Sequence, residues 1–277
     1  MRYLALALVG LAMLVASASA RIVIVAPDGP GDLPTIQTAI NATTDGDIIE
    51  LKQGIFTGDG NRDLDFSGKA IKLRSQDGVP DMCIIDCGGT ATEAHRGMHF
   101  HSGEGTDTVI EAMTITGGYT TLSGDGASGG AILCDTASPT ITNCTFYGNS
   151  ATEGGSVALR QGSTAWLEDC ILALGTMGEA IWCSDDSDAV LACSDIFGNA
   201  GGDWLGCVAG QLGTNGNISA DPLFCDAENG DFTIAGQSPC APVGAPECGL
   251  IGAWPVGCEV TPVRPWHWGQ IKALFRR

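Results

Sequence analysis

Residues 129–149, GGAILCDTASPTITNCTFYGN, constrain the fold more than any other stretch, because they recur. Residues 154–176 read GGSVALRQGSTAWLEDCILALGT, and residues 178–199 read GEAIWCSDDSDAVLACSDIFGN. Aligning Cys144, Cys170 and Cys193 also aligns Ile141, Leu167 and Val190, and an earlier copy supplies Ile110, Met113 and Ile115. The cysteine spacings of 26 and 23 residues are those of a stacked repeat. About 24 residues make one coil of short strands and corners. Within a copy the apolar residues Cys144 and Phe146 lie two apart, the period of a strand. The step from Ile141 to Cys144 breaks that alternation, and Asn143, Asp169 and Ala192 fall inside the break. Asn and Asp tolerate a left-handed backbone, so a corner is expected there. Coils of this kind pair in parallel at about 4.8 Å and bury their apolar faces only by stacking. The expected fold is all-β, a parallel β-helix. Cys144, Cys170 and Cys193 should form one internal column, with Ile141, Leu167 and Val190 in the next.

GGAI followed by SPTITNCTFYGNSA resembles the repeat of bacterial right-handed parallel β-helix proteins of the pectin-lyase-like fold. GGAI and Phe146 to Asn149 also resemble the polymorphic outer-membrane protein repeat. GDLPTIQTAINA and GDIIELKQGIF, in the stretch over residues 22–58 that opens the domain, are similar to the N-terminal segment of pectin methylesterases. DPLFCDAENGDFTIAGQSPC and GLIGA resemble the closing coils of bacterial β-helix proteins. The resemblance implies a right-handed, single-stranded β-helix and leaves its chemistry open, since this solenoid hosts lyases, hydrolases, adhesins and spacers. The esterase mechanism does not carry over. Its Gln-Asp pair has a counterpart here only in Gln76-Asp77, inside a Ser-Gln-Asp-Gly turn.

The chain divides into three. Residues 1–20 read as a secretory signal, with Arg2, an apolar run over 4–15 and Ala18-Ser19-Ala20 as the cleavage site. The run is shorter than the ~20 residues that span a bilayer. Residues 21–258 form the β-helix domain, opened by a helix over 35–43 that caps the first coil with Ile36 and Ile40. Residues 118–128, glycine-rich and polar, read as a side loop. Residues 259–277 form a basic, aromatic tail with Trp266, Trp268, Ile271 and Phe275, and four of the 13 Lys and Arg residues. That tail reads either as a docked terminal helix or as an attachment signal.

The net charge is −19, or −20 once Arg2 leaves with the signal. It argues against nucleic acid and anionic membranes as partners, and no transmembrane segment follows the signal. A monomer is expected. Twelve cysteines in an exported chain point to disulfides, while stacked buried positions suit free thiols, and both readings stand. A bridge between Cys225 and Cys240 would close the last turn. Cys83 and Cys87 lie too far apart along one strand to join each other.

Candidate site residues are few. His99 and His101 share one strand face in RGMHFH, with Arg96 beside them and Arg160 further on; the pattern reads as a binding face, a metal pair or a plain exposed sheet face. Asp185, Asp186 and Asp188 cluster in one corner, where carboxylates can hold Ca2+. Pectate lyases hold calcium in this way and use an arginine as base. In the aligned frame the coil after His99 and His101 offers only Ile132 and Cys134, and the carboxylates lie scattered rather than stacked. The expected function is therefore noncatalytic display or binding at the cell surface, of a polysaccharide or another surface component, with no cofactor. The alternative is a polysaccharide lyase or hydrolase with its site on the solenoid flank.

Overall fold

A computed structural model describes residues 19–29, 31–76, 82–120 and 124–259. Most of the expected signal and nearly all of the basic tail lie outside the described residues. The chain is a parallel β-solenoid whose coils contribute one strand to each of three sheets. Ile22–Val25, Ile48–Leu51, Lys72–Ser75, Val109–Glu111, Thr140–Thr142, Thr164–Glu168 and Asp188–Ala192 form a seven-stranded sheet. Leu64–Asp65, Met98–Phe100, Ile132–Asp135, Val157–Arg160 and Ile181–Cys183 form a five-stranded sheet. Gly54–Thr57, Cys83–Asp86, Thr114–Thr116, Thr145–Tyr147, Ile171–Ala173 and Asp195–Phe197 form a six-stranded sheet. All of these pairings are parallel.

Each sheet sends apolar side chains inward in columns. In the seven-stranded sheet one column is Val23, Ile49, Leu73, Ile110, Ile141, Leu167 and Leu191, all buried. In the six-stranded sheet it is Phe56, Ile85, Ile115, Phe146, Leu172 and Ile196. Like side chains thus sit over like side chains at the strand spacing of about 4.8 Å.

The register corrects three expectations. Leu167 is followed in its column by Leu191, and Val190 stands outward beside Trp166. The position beneath Cys170 belongs to Ser194, whose hydroxyl accepts a hydrogen bond from Cys170 N at 3.3 Å. Cys193 is the left-handed corner residue, with φ 47°, equivalent to Asn143 at 50° and Asp169 at 53°. Ala192 stays in its strand. The cysteine ladder is therefore Cys144 and Cys170 only, and burial pushes both thiols up, so they stay protonated.

The corner motifs have direct causes. The side-chain amide of Asn149 donates to Ile115 O and accepts from Gly118 N, at 2.8 and 2.9 Å. Asn199 repeats this one coil pair later, with Leu172 O and Gly175 N. Gly130 is required because a Cβ there would collide with Gly155 O of the next coil.

Both ends are closed. Thr35 caps the helix Ile36–Ala42 through a reciprocal bond with Thr38, and Ile36, Ala39 and Ile40 are buried against the first strands. Asp32 satisfies the free edge of the first strand through Ile24 N and O. At the other end Gln211 takes the place of a missing strand, accepting from Leu191 N and donating to Ala189 O. Edge groups left bare would invite pairing with another chain.

After residue 200 the chain turns back along the outside of the six-stranded sheet. Phe224–Asp226, Asp231–Ala235 and Val256–Cys258 form a small sheet there. Trp254 Nε1 donates to Thr114 Oγ1 at 2.9 Å, and Ala253 N to Thr145 Oγ1 at 3.0 Å. The outward column Ile84, Thr114, Thr145, Ile171 and Asp195 is therefore buried. Among the described residues three disulfides tie this region: Cys183–Cys207, Cys193–Cys248 and Cys225–Cys258. Cys225 thus joins Cys258 rather than Cys240, which is free and buried. In the chain-entropy picture the Cys193–Cys248 bridge, spanning 55 residues, contributes about 4 kcal/mol. No helix among the described residues is long and apolar enough to cross a membrane.

Two measurements test this packing. Ile40→Asp puts an unpaired charge under the N-terminal cap and should lower stability by about 3 kcal/mol or more in denaturant unfolding. An unchanged midpoint would remove the helix from the load on the first coil. Burial raises the Asp195 carboxyl to about 7, although Ala220 N and the Cys240 thiol donate to it. The folded state then holds this proton more tightly than the unfolded chain. The associated stability is full below the unfolded value of 3.8 and is lost as the pH rises through about 7. Asp195→Asn should flatten the fall in melting temperature between those two values; equal slopes in the two proteins would refute the assignment.

Candidate functional site on the five-stranded face

Strand alternation decides which side chains this face presents. Ile132 and Cys134 point inward, so Leu133 and Asp135 point outward. The outward row reads Asp65, His99, Leu133, Ala158 and Trp182. Two residues further along the strands, Asp135 is in register with Arg160. His99 therefore meets a carboxylate in the following coil, and the expectation that only Ile132 and Cys134 lie there is corrected.

Asp135 is the centre of the cluster. Its side chain is 12% exposed. Arg160 grips it with two parallel bonds, Nε to Oδ1 at 2.7 Å and Nη2 to Oδ2 at 2.8 Å. His99 Nε2 lies 3.0 Å from Oδ2. His95 Nδ1 is 2.6 Å from Asp63 Oδ2, and His101 Nε2 is 3.5 Å from Asp65 Oδ1. The rings of His99 and His101 are 4.4 Å apart. Each of these histidines thus has an aspartate from a neighbouring coil, although no two of the three carboxylates are in register with each other.

Arg96 lies at the near end of the same strand. Its backbone N–H donates to Asp63 Oδ1 at 2.9 Å, and its Nη2 reaches Gly126 O of the side loop at 3.4 Å. Among the described residues its buried Nη1 has no hydrogen-bond partner. Burial lowers its affinity for the proton, Asp63 opposes that, and Arg160 adds to it.

The same forces set the other protonation states. Burial pushes the Asp135 carboxyl up, but the bonds from Arg160 and His99 outweigh it and hold the group below its usual range. Burial pushes His99 down; the bond to Asp135 opposes this, and Arg96 and His101 reinforce it. A neutral His99 facing a carboxylate carries its proton on Nε2, which leaves Nδ1 as an acceptor. An imidazole oriented in this way, with Arg96 nearby and Arg160 on the same carboxylate, has the parts of a general base with a charge stabiliser.

No protein-family model and no curated protein matches the chain. What the site does must therefore be argued from these side chains.

The acidic corner is a different arrangement. Asp185, Asp186 and Asp188 are exposed. Asp186 Oδ1 accepts from Ser184 Oγ at 2.6 Å, and Asp188 Oδ1 accepts from Ala189 N at 2.9 Å. Two of the three thus engage their own turn. Among the described residues no group of three or more His, Cys, Asp or Glu is placed to hold a metal ion. Asp63, Asp65 and Asp135 carry no local sequence signal that marks them as partners of the histidines. Anchoring the copies on their paired glycines, which align Gly130 with Gly155, would have set Asp135 against Arg160.

Asp135→Asn should lower stability by about 2 kcal/mol, because Arg160 and His99 lose a shared charged acceptor. It should also move the His99 titration midpoint further down, since the carboxylate is what opposes burial. Proton NMR titration of the His99 ring reads this directly, and an upward or absent shift would dissociate His99 from Asp135.

Proposed function

We propose that this protein is an exported right-handed β-helix of the pectin-lyase-like kind that binds carbohydrate at the cell surface without cleaving it. The observation that carries the reading is the mutual engagement of the charged groups on the five-stranded face. Asp135 is held by Arg160 and His99, Asp63 by His95, and Asp65 by His101. A cleavage site needs an acid–base pair free to reach substrate. Export is supported by the signal-like N-terminus and the three disulfides, which persist in oxidising compartments. Carbohydrate as ligand is supported by the resemblance to β-helix proteins, and by a rigid solenoid with closed ends and one covered face that leaves two broad faces to solvent.

A second reading rests on the same cluster. Neutral His99, oriented by Asp135 beside Arg96 and Arg160, fits proton abstraction from a uronide, as in a polysaccharide lyase. The two readings separate in one experiment. The purified protein is incubated with a panel of polyuronides and neutral polysaccharides, with and without calcium, while binding and release of unsaturated product are both followed. Retention without product is expected. Product formation abolished by His99→Ala would establish the lyase instead, and neither retention nor product would refute both.

A further inference from the structure

The opposite face of the solenoid holds the better-formed binding surface. Its outward rows change character along the stack. In the early coils they are ion-paired, Arg74 with Glu50 and Lys72 with Glu111. In the later coils one row becomes Thr140, Trp166 and Val190, and the other Thr142, Glu168 and Ala192. Trp166 stands 49% exposed, and it is the one aromatic among the exposed large apolar side chains of the described residues. Its row neighbours Thr140 and Val190 are short, so the indole rises above them. An open trough of about 400 Å³ runs beside it, edged by Thr106, Thr140, Glu168 and Asn215.

We infer that this trough is a binding site for neutral glycan chains, with Trp166 as its stacking platform. This rests on the carbohydrate reading above and names its site and substrate class. An exposed indole face matches the C–H face of an uncharged pyranose ring, while hydroxyl, amide and carboxylate groups at the trough edge match the equatorial hydroxyls. The lining holds no Lys or Arg. It presents Glu168 on a chain of net charge −19, so an anionic polymer is disfavoured there. The same charge disfavours a second copy of this chain as occupant, since two acidic trough edges would face each other. The trough's volume lies within the range of small-ligand sites, roughly 300–1,000 Å³.

The test is titration calorimetry of the purified protein against hexasaccharides of cellulose, xylan, mannan and chitin, with oligogalacturonate alongside. At least one neutral series should bind. Trp166→Ala should weaken that binding by about tenfold or more, with the melting temperature unchanged because the side chain is exposed. Trp166→Phe should restore part of it. If glycans bind equally well to Trp166→Ala and lose affinity on Arg96→Ala, the trough assignment is wrong and the carbohydrate reading stands on the five-stranded face. If Trp166→Ala only abolishes self-association, the trough is a subunit contact and the inference fails. If no glycan binds, both fall.

Discussion

Everything in this molecule depends on the parallel hydrogen-bond ladder between successive coils. A single coil has almost no interior and cannot bury its apolar side chains alone. Stacking at about 4.8 Å sets each apolar side chain on its equivalent in the next coil. The ladder also fixes facing, because a slip of one residue turns every side chain to the other side. Columns as uniform as Ile110, Ile141, Leu167 and Leu191 are held by that penalty. The corners accept left-handed conformations even at Ala112 and Cys193, with φ 60° and 47°. Each costs about 1 kcal/mol or more, and the ladder on both sides holds it in place.

The same ladder creates a difficulty at its ends and on its third face. At the ends the chain answers with side chains that imitate backbone, Asp32 at the first strand and Gln211 at the last. On the six-stranded face the closing segment covers the outward residues, packing on Ile84 and Ile171 and hydrogen-bonding Thr114, Thr145 and Asp195. Phe232 and Trp254 pack there beside Ile84, with their rings 5.8 Å apart. That cover buries Asp195, whose raised affinity for its proton follows from desolvation. Two disulfides, Cys193–Cys248 and Cys225–Cys258, then fasten the cover to the stack and to itself.

The solenoid was legible because its signal is periodic and redundant. Several copies agreed on strand alternation, and Pro34, Thr35 and the apolar stripe of 36–40 placed the capping helix. Register was legible only where coil length was constant. Ile141 to Leu167 is 26 residues and Leu167 to Leu191 is 24, so an alignment on Cys193, 23 after Cys170, slipped by one. That slip misplaced Val190 and Cys193. The same one-residue ambiguity hid Asp135, because its row is set by backbone pairing and not by its neighbours in sequence. The disulfide partners of Cys225 and Cys193 were unreadable for a further reason. They depend on the path of the closing segment, where the repeat is lost and periodicity carries no information.

The two open faces carry different physics, and this bears on which of them suits the proposed carbohydrate ligand. On the five-stranded face, a ligand must compete with contacts such as the bidentate Arg160–Asp135 pair, and displacing a largely buried ion pair leaves charges poorly solvated. On the later part of the seven-stranded face no ion pair of that kind is present among the described residues. Trp166 already exposes apolar surface to water, so covering it releases hydration without breaking a protein contact. Rigidity adds to the contrast: Trp166 sits on a strand paired on both sides, through Thr140 and Val190, so little conformational freedom remains to be lost on binding. A repeat fold that alternates charged pairs with an open aromatic shelf thereby separates the groups that hold the coils together from those able to hold something else.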